Sequence, residues 1–369
     1  MRKLQVFIGW FQALNGITEY YPDARTGSLK RSKYLKFYII FHNLLTLSGT
    51  SLLFNDLLAK RSSAVYAVHS HWIIYAAMFY TIVKILVVFL TLHSVLGQQN
   101  HIRRIINRLQ KLDSTNASRA DRIKLGVLQY IKLSAHFFNI MLYINKFYLQ
   151  WDHLTAITVL FYCYGIWCHT KVCAMTLLLL EILWKIHHVG IGLQSQLEML
   201  LAQRVQILHL RRVFMQHQQF INICNEYCAN FPHFLVWYPL KNICIVILAA
   251  YYLLREKFAN ESALYMDVTT IIIISAYTMH LIAEIYVINS LCEAIADFIP
   301  DTISLLWQSK HQDHRVELAI TQMTLQLNCQ HTKIQPYGMV TLNQRLSYSI
   351  MTEILLYTIC LIQSDYFYF

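Results

Sequence analysis

The sequence predicts an all-α membrane protein with seven transmembrane helices, and three observations lead to that prediction. Hydrophobic residues make up 56% of the 369 residues and charged residues only 14%, whereas a soluble domain has about a quarter charged residues. The hydrophobic residues fall into seven runs, each about 20 residues or longer, the length that crosses a bilayer as a helix. The connecting segments differ in lysine and arginine content, which predicts their side of the membrane.

The seven predicted spans are not equally apolar. The third is the weakest, because Lys132, His136, Asn139 and Asn145 interrupt it. Helices are the expected form, since a helix in lipid satisfies its own backbone polar groups without a partner segment. The predicted spans cover approximately residues 34–58, 68–92, 125–148, 154–183, 234–254, 266–291 and 340–363.

The orientation follows from the charges of the connecting segments. With the amino terminus inside, the inside segments carry 20 lysine and arginine residues and the outside segments carry five. Positively charged loops tend to stay in the cytoplasm, so we expect a cytoplasmic amino terminus and an extracellular carboxyl terminus. The net charge of +11 then lies mostly where anionic lipid of the inner leaflet attracts it. Membrane lipid is therefore an expected partner, and the charge requires no nucleic acid.

The connecting segments also differ in length. The outside ones are short, whereas the inside segments 186–233 and 301–335 are long and carry apolar residues at helical spacing. We expect membrane helices to extend into the cytoplasm there and to pack together as a helical base. No linker or repeat marks a second unit, so residues 1–369 are predicted to form one domain. Asn260 lies in a sequon of an outside connection and is a candidate glycosylation site.

Motifs for catalysis and metal binding are weak in this sequence. Cys224 and Cys228 lie near His217 and His233, but the spacing is not that of a common zinc finger, and cysteine is often a small buried apolar residue. No nucleophile elbow or phosphate-binding glycine loop is present. We therefore predict no enzyme activity, no metal and no cofactor.

Charged residues inside the predicted spans are costly in lipid and tend to face a protein interior or a water-filled path. Lys171 is expected to lie near an interface, where a long side chain can reach water. For Lys84, Glu284 and Glu353 two alternatives stay open. Each either lies near an interface or belongs to a structural or gating ion pair.

The last predicted span carries one face that changes character along its length. At about 100° per residue, Arg345 and Ser349 lie at the cytoplasmic end of this face and an apolar belt follows them. A pore helix with a hydrophobic constriction has this layout, and a pore would need symmetry copies of the helix, a four-fold ring being natural. This face could equally be a surface of small and polar residues on which the last span packs against a neighbouring helix. Tyr357 points away and is expected to pack on a neighbour. The candidate pore and gate residues are Gln363, Cys360, Ile359, Leu356 and Thr352.

The carboxyl-terminal segment "QPYGMVTLNQRLSYSIMTEILLYTICLIQSD" resembles the signature of insect gustatory receptors. In that family the last span ends in Thr-Tyr, five hydrophobic residues and Gln-Phe. Tyr357 and Gln363 match with the same gap, whereas Leu356 replaces the threonine and Ser364 replaces the phenylalanine. Asn343 upstream also fits. The motif covers about thirty residues, and the seven predicted spans extend a weaker resemblance over the whole chain.

The resemblance implies a tastant-gated, non-selective cation channel in the plasma membrane of gustatory receptor neurons. Such a channel would be a homo- or hetero-tetramer with other gustatory receptor subunits, as in the related odorant receptors. Seventh helices would line the pore, with Gln363 as the polar pore residue and Cys360 at the gate. Thr358 stands where the sugar-sensing branch tends to have an acidic residue, which favours a bitter-type or orphan member.

The resemblance also implies a tastant pocket in the outer half of spans two to six. Aromatic side chains dominate these outer halves on the predicted orientation, and an aromatic pocket suits planar, weakly polar ligands. Many of these aromatic residues could instead form interfacial belts. The candidate ligand-binding residues are Trp72, Tyr75, Tyr143, Phe147, Phe161, Tyr162, Tyr251, Tyr265 and Thr269.

A second function class stays open beside the channel. A membrane transporter or membrane enzyme with seven spans, unrelated to G-protein-coupled receptors, would have the same composition. G-protein-coupled receptors themselves are disfavoured, because the charge distribution predicts an inside amino terminus and an outside carboxyl terminus, which is the reverse of that family. Tastant-evoked cation current would separate the two classes.

Overall fold

The computed structural model describes residues 2–22, 29–61, 71–112, 119–149, 156–202, 207–258, 268–308, 314–330 and 332–366. Within these ranges the chain forms twelve α-helices and one pair of short strands. The helices are α1 (Arg2–Leu14), α2 (Lys33–Arg61), α3 (His71–Gly97), α4 (Gln99–Leu112), α5 (Arg119–Leu149), α6 (Ala156–Ala202), α7 (Ile207–Asn230), α8 (Pro232–Phe258), α9 (Val268–Ala296), α10 (Phe298–Gln308), α11 (His314–Asn328) and α12 (Gln344–Tyr366).

One strand pair departs from the purely helical prediction. Strand β1 (Tyr20–Pro22) pairs antiparallel with β2 (Leu29–Arg31), and Tyr21 lies opposite Lys30. The pair follows α1 directly and precedes α2. Its strands are three residues each, so the fold is helical in every larger feature.

Seven helices coincide with the seven apolar runs, namely α2, α3, α5, α6, α8, α9 and α12. Five regions, in α3, α6, α8, α9 with α10, and α12, are long and apolar enough to cross a membrane. Among the residues that the structure describes, no such region is found in α2 or α5. In α5 the polar residues already named as interruptions lower the apolar content. The count of seven spans and the orientation therefore stay predictions.

Helix α6 is the centre of the fold. It has 47 residues, so it is about 70 Å long, more than twice the roughly 30 Å of a bilayer's hydrocarbon core. Every residue from Lys171 to Leu180 is buried, and helices α1, α2, α3, α5 and α9 pack on α6. Its other half continues toward α7 and α10.

Short helices form a helical base around the carboxyl-terminal half of α6. The expected helices in the two long inside segments are present, as the end of α6, α7, α10 and α11. Helix α4 joins them and buries one apolar face that includes Ile102, Ile105 and Leu109. Phe220 of α7 packs on Phe298 of α10, with ring centroids 4.3 Å apart.

Helix α8 contains a proline in its interior, Pro239. Proline removes one backbone hydrogen bond from a helix, and membrane helices tolerate it where neighbouring groups compensate. Tyr238 and Lys241 flank this position, and both side chains are buried. The proline of α8 therefore lies beside the polar interior described below.

Candidate functional site

The beginning of α12 is fixed to α9 by hydrogen bonds. The Asn343 side chain accepts one from the backbone N–H of Leu346 at 3.0 Å, which is the N-cap arrangement. The backbone N–H of Gln344 donates to Glu293 Oε2 at 3.2 Å. Asn289 Nδ2 donates to Ser347 Oγ at 2.9 Å. These contacts fix the rotation of α12 about its own axis, and so decide which face it presents outward.

Helix α12 has one buried face and one open face. Ser347, Ile354 and Thr358 are buried, and they lie at about 180° to 220° from Gln363 around the helix. The predicted pore residues lie on the opposite face, and all five are exposed: Gln363, Cys360, Ile359, Leu356 and Thr352. The structure thus brings these five residues onto one open surface of the chain.

Two further residues of α12 bear on this surface. Glu353 is exposed in the middle of the helix, about 80° from Gln363. Tyr357 was expected to pack on a neighbour, and its side chain is 54% exposed in the single chain. A neighbour that covers Tyr357 would therefore have to come from outside this chain.

A buried ion pair joins α5 to α9. Lys132 Nζ lies 2.7 Å from Glu284 Oε1 and 2.8 Å from Oε2. The Tyr238 hydroxyl of α8 donates to Glu284 Oε1 at 2.8 Å, and Lys132 also donates to the Tyr238 oxygen. All three side chains are buried. Of the alternatives left open for Glu284, the ion pair is correct.

Beside this ion pair lies a small polar cavity. Its lining includes a second buried lysine, Lys241, and two histidines, His136 and His169, whose rings stack with centroids 5.3 Å apart. The free volume is about 10 Å³, close to the minimum that holds one water molecule. A tastant is many times larger than this space.

Aromatic residues of the predicted ligand pocket meet nearby. The rings of Tyr143 in α5 and Tyr162 in α6 are in edge-to-face contact, with centroids 6.3 Å apart. Lys84 Nζ of α3 donates to the Tyr143 hydroxyl at 3.1 Å. Gly165 faces the Tyr143 ring so closely that an added Cβ would lie 3.0 Å from it. These residues place three helices around one aromatic contact.

Among the described side chains, no contact places another predicted ligand residue at this aromatic pair. Tyr75 and Thr269 are exposed, and Tyr251 is fully buried against Tyr252. Trp72, Phe147 and Phe161 belong to α3, α5 and α6, but their side chains are not among the described ones. Tyr265 and the sequon residue Asn260 lie outside the described residues.

The expectation for Lys171 is wrong. Its side chain is buried, with 1% of the residue exposed, instead of reaching an interface. The ammonium donates to Asn43 and to Thr46 Oγ1, the latter at 3.2 Å, and lies 3.0 Å from His42 Nδ1. Polar residues of α2 therefore satisfy this lysine.

Sequence reasoning missed the partners in the polar interior. Lys132 was noticed only as an interruption of the third run, and Lys241 was not noticed. The available signal was that the third, fifth and sixth runs each carry an isolated charged residue in mid-span, as charges buried in lipid tend to pair with one another. Spacing along the chain does not reveal a contact between residues separated by 152 positions.

Comparisons with known proteins agree with the arrangement of helices. With 24% identity, the chain is similar to the Drosophila melanogaster protein "Putative gustatory receptor 85a", over 99% of this chain and 93% of that protein. Its fold is similar to that of the insect olfactory receptor OR5 from Machilis hrabei in complex with eugenol, with a TM-score of 0.74 at 13% identity. A second OR5 structure gives 0.73 at 14% identity. Both cover 98% of each chain.

A family model extends the agreement to nearly the whole sequence. The model of the 7tm chemosensory receptor matches residues 7–368. The resemblance inferred from the end of the last span is therefore confirmed at the level of the family. The chain belongs to the 7tm chemosensory receptor family.

Proposed function

We propose that this chain is a subunit of a tastant-gated, non-selective cation channel of the gustatory receptor type, in which four copies of α12 surround the pore. Membership of the chemosensory receptor family and similarity to a gustatory receptor support the receptor role. The open face of α12 supports the pore role. The channel would act in the plasma membrane of gustatory receptor neurons.

The single observation that carries the proposal is that the open face of α12 is partly polar. Apolar residues exposed on a membrane helix need no explanation, because lipid covers them. Glu353, Thr352 and Gln363 are exposed on the same side of α12, and a carboxylate facing lipid is costly. Water in a pore, or another subunit, would remove that cost.

The proposed gate is the apolar belt on this face. Leu356 and Ile359 are 52% and 50% exposed, and Cys360 lies beside them. Four copies of such a belt around an axis would exclude water when closely spaced, and a small outward movement would hydrate the path. Gln363 would form a polar ring beyond the belt, on the predicted outer side.

The proposed ligand site lies where α3, α5 and α6 meet around Tyr143 and Tyr162. The contact is aromatic, with one ammonium, that of Lys84, hydrogen-bonded to a phenol. A small aromatic ligand that separated the two rings would move α5 against α6, and α5 also packs on α9. Because α9 holds the start of α12, this gives a physical route from ligand to gate. OR5 was solved with eugenol, a small aromatic compound. Bitter-type specificity is proposed from Thr358 alone.

Cysteine accessibility provides the experiment. Gln363→Cys would be made in a Cys360→Ser background, expressed alone and with candidate partner subunits, and recorded during tastant application. A positively charged thiol reagent added outside is expected to reduce the evoked cation current by at least about half, because it adds four charges to the narrow path.

Thr358→Cys in the same background is the matched control, since this position lies on the buried face of α12. Its current should be insensitive to the reagent. Equal sensitivity of the two variants, or full insensitivity of Gln363→Cys with confirmed labelling, would remove this face of α12 from the pore. Absence of any current from a folded, tastant-binding protein in every subunit combination would overturn the channel proposal itself.

A further inference from the structure

Helix α4 presents a strongly basic surface to its surroundings. Its apolar residues, which include Ile102, Ile105 and Leu109, are buried, and the helix packs on α6 and α7. The opposite arc of the helix carries four exposed cations, and α4 contains no aspartate or glutamate. These four residues are called the α4 basic surface: Arg103, Arg104, Arg108 and Lys111.

The positive charge of this surface exceeds the negative charge that faces it. Within the described part of the chain, its ion pairs go to one carboxylate, that of Glu226 in α7. Arg108 Nη1 lies 2.8 Å from Glu226 Oε2, and Arg104 Nη1 lies 3.6 Å from Oε1. Both arginine side chains are still about half exposed. Arg103 lies over the Tyr20 ring, 5.7 Å from its centroid, and a ring contact leaves the charge in place. Exposed arginine and lysine are ionised at neutral pH, so four cations face one anion.

The α4 basic surface begins where a membrane-spanning segment ends. Helix α3 ends at Gly97 and α4 begins at Gln99. The stretch Met78–Gly97 is long and apolar enough to cross a membrane. On the predicted orientation, this end of α3 is the cytoplasmic one. The first cations of α4 therefore follow the span within about two helical turns.

Two hydrogen bonds bring the start of α2 to the same level. Gln99 Nε2 donates to the Ile17 carbonyl, and the backbone N–H of Ser32, just before α2, donates to the Glu19 carbonyl at 3.2 Å. Tyr34, in the first turn of α2, is 88% exposed, and tyrosine is enriched where a membrane meets water. The start of α4 therefore lies at the level of the lipid headgroups.

The width of the basic surface indicates the kind of headgroup. Arg103 and Lys111 are eight positions apart, so the cations extend over about 12 Å along the helix. A headgroup with one phosphate reaches part of this length, whereas a larger headgroup with several phosphates projects from the bilayer along it. Arginine forks bind phosphate oxygens in pairs, and three of the four cations are arginines. A soluble partner that binds the apolar face of an amphipathic helix does not fit, because that face of α4 is buried.

We propose that the α4 basic surface binds a phosphoinositide of the inner leaflet, a lipid whose inositol headgroup carries additional phosphate groups. Basic clusters directly cytoplasmic of a span are typical of proteins that bind such lipids. The lipid would tie the helical base to the membrane through α4. This inference rests on the predicted inside position of α4. It depends neither on channel activity nor on the proposed aromatic ligand site.

Competition binding with the full-length wild-type protein in nonionic detergent tests the site. The probe is a fluorescent short-chain phosphatidylinositol bisphosphate, followed by anisotropy at physiological salt. The competitors are the unlabelled bisphosphate lipid, short-chain phosphatidylserine and free inositol trisphosphate. The bisphosphate lipid should compete at concentrations at least about tenfold lower than phosphatidylserine, because it reaches more of the cations.

The same series contains the results that would overturn the proposal. Equal competition by phosphatidylserine would show that the surface does not select a multiply phosphorylated headgroup. Equal competition by free inositol trisphosphate would mean a soluble ligand instead of a lipid. Both results come from the wild-type protein and so do not depend on the folding of any variant.

A pair of double variants locates the site on α4. Arg103→Gln with Lys111→Gln leaves the ion pairs of Glu226 intact, and loss of the two cations should weaken probe binding roughly thirtyfold. Arg211→Gln with Arg212→Gln is the matched control, because both arginines are exposed on α7 and the net charge changes equally. They lie about 20 Å along α7 from Glu226, farther than charges act through physiological salt, so binding should stay within about twofold of wild type. Equal weakening in the two double variants would mean general charge attraction and would overturn the assignment to α4.

Discussion

Lys132 and Glu284 illustrate how the receptor keeps charge in its interior. Both side chains are buried, and the pair connects α5 to α9 with the Tyr238 hydroxyl as a third member. Breaking a buried pair by removing one partner is far more damaging than replacing both, because the remaining charge is uncompensated. The ion pair therefore holds α5 and α9 in register.

Single and double replacements of this pair test that role. Lys132→Met or Glu284→Met alone should each lower the free energy of unfolding by about 3–5 kcal/mol. The double variant should lose clearly less than the sum of the two single variants, because neither charge is then left alone. Thermal unfolding followed by tryptophan fluorescence in detergent measures all four proteins. Strict additivity would contradict a direct interaction between the two charges.

Gly49 allows a close approach between α2 and α6. A Cβ added there would lie 2.7 Å from Tyr164 Cζ, inside van der Waals contact. The Tyr164 hydroxyl also donates to the Thr46 carbonyl at 2.5 Å, so the ring cannot move away without losing this hydrogen bond. The same part of α2 supplies the polar groups that surround Lys171.

Replacing this glycine should therefore separate the two helices. Gly49→Ala is expected to destabilise the protein by about 1–3 kcal/mol, the usual cost of overpacking. Gly97→Ala is the control, because nothing lies within 4 Å of a Cβ added at Gly97, and its unfolding midpoint should be unchanged or slightly higher. Equal behaviour of the two variants in thermal unfolding would refute the close contact.

At the scale of helices, the sequence predicted where the helices lie along the chain better than which residues their side chains contact. Runs of apolar residues located α2, α3, α5, α6, α8, α9 and α12, since a membrane helix must be apolar along its length. The apolar runs did not reveal which residues the polar side chains in these helices contact, because those partners lie far away in the sequence. Lys171 shows the limit most clearly: its hydrogen bonds go to α2, about 125 to 129 positions earlier.

Helix α12 was the element most accessible to sequence reasoning. The wheel placed Gln363, Leu356 and Thr352 on one side, and in the structure that side is open while Ser347, Ile354 and Thr358 are buried. The sequence left helix packing and a pore as equal alternatives for this face. Packing within one chain does not use it.

The ligand pocket was less accessible, for a physical reason. A pocket is made by side chains from several helices, and its residues share no periodicity along the chain. Depth in the membrane selected Tyr143 and Tyr162, whose rings are in contact, and it also selected Tyr251, which is fully buried against Tyr252. Lys84, which contacts Tyr143, was noticed as a charge and not as part of this cluster.

At the scale of the molecule, the chain consists of a packed helical core and one helix, α12, with an open face. Helix α6 and the helical base form one continuous apolar core, which gives α9 a rigid support. Helix α9 holds the start of α12. The open face of α12 lies on the surface of the chain and carries polar residues in the middle of the helix. Under the proposed function, the open face of α12 is the part of the chain that would meet other subunits.

A density map of the particle assembled in lipid tests the proposed pore. We expect four copies of this chain, or of this chain with related subunits, with Leu356, Ile359 and Gln363 of α12 facing a common axis. Buried Ile354 should face α8 and α9 of its own chain. A monomeric particle, or an assembly in which these α12 residues face lipid away from the axis, would contradict it.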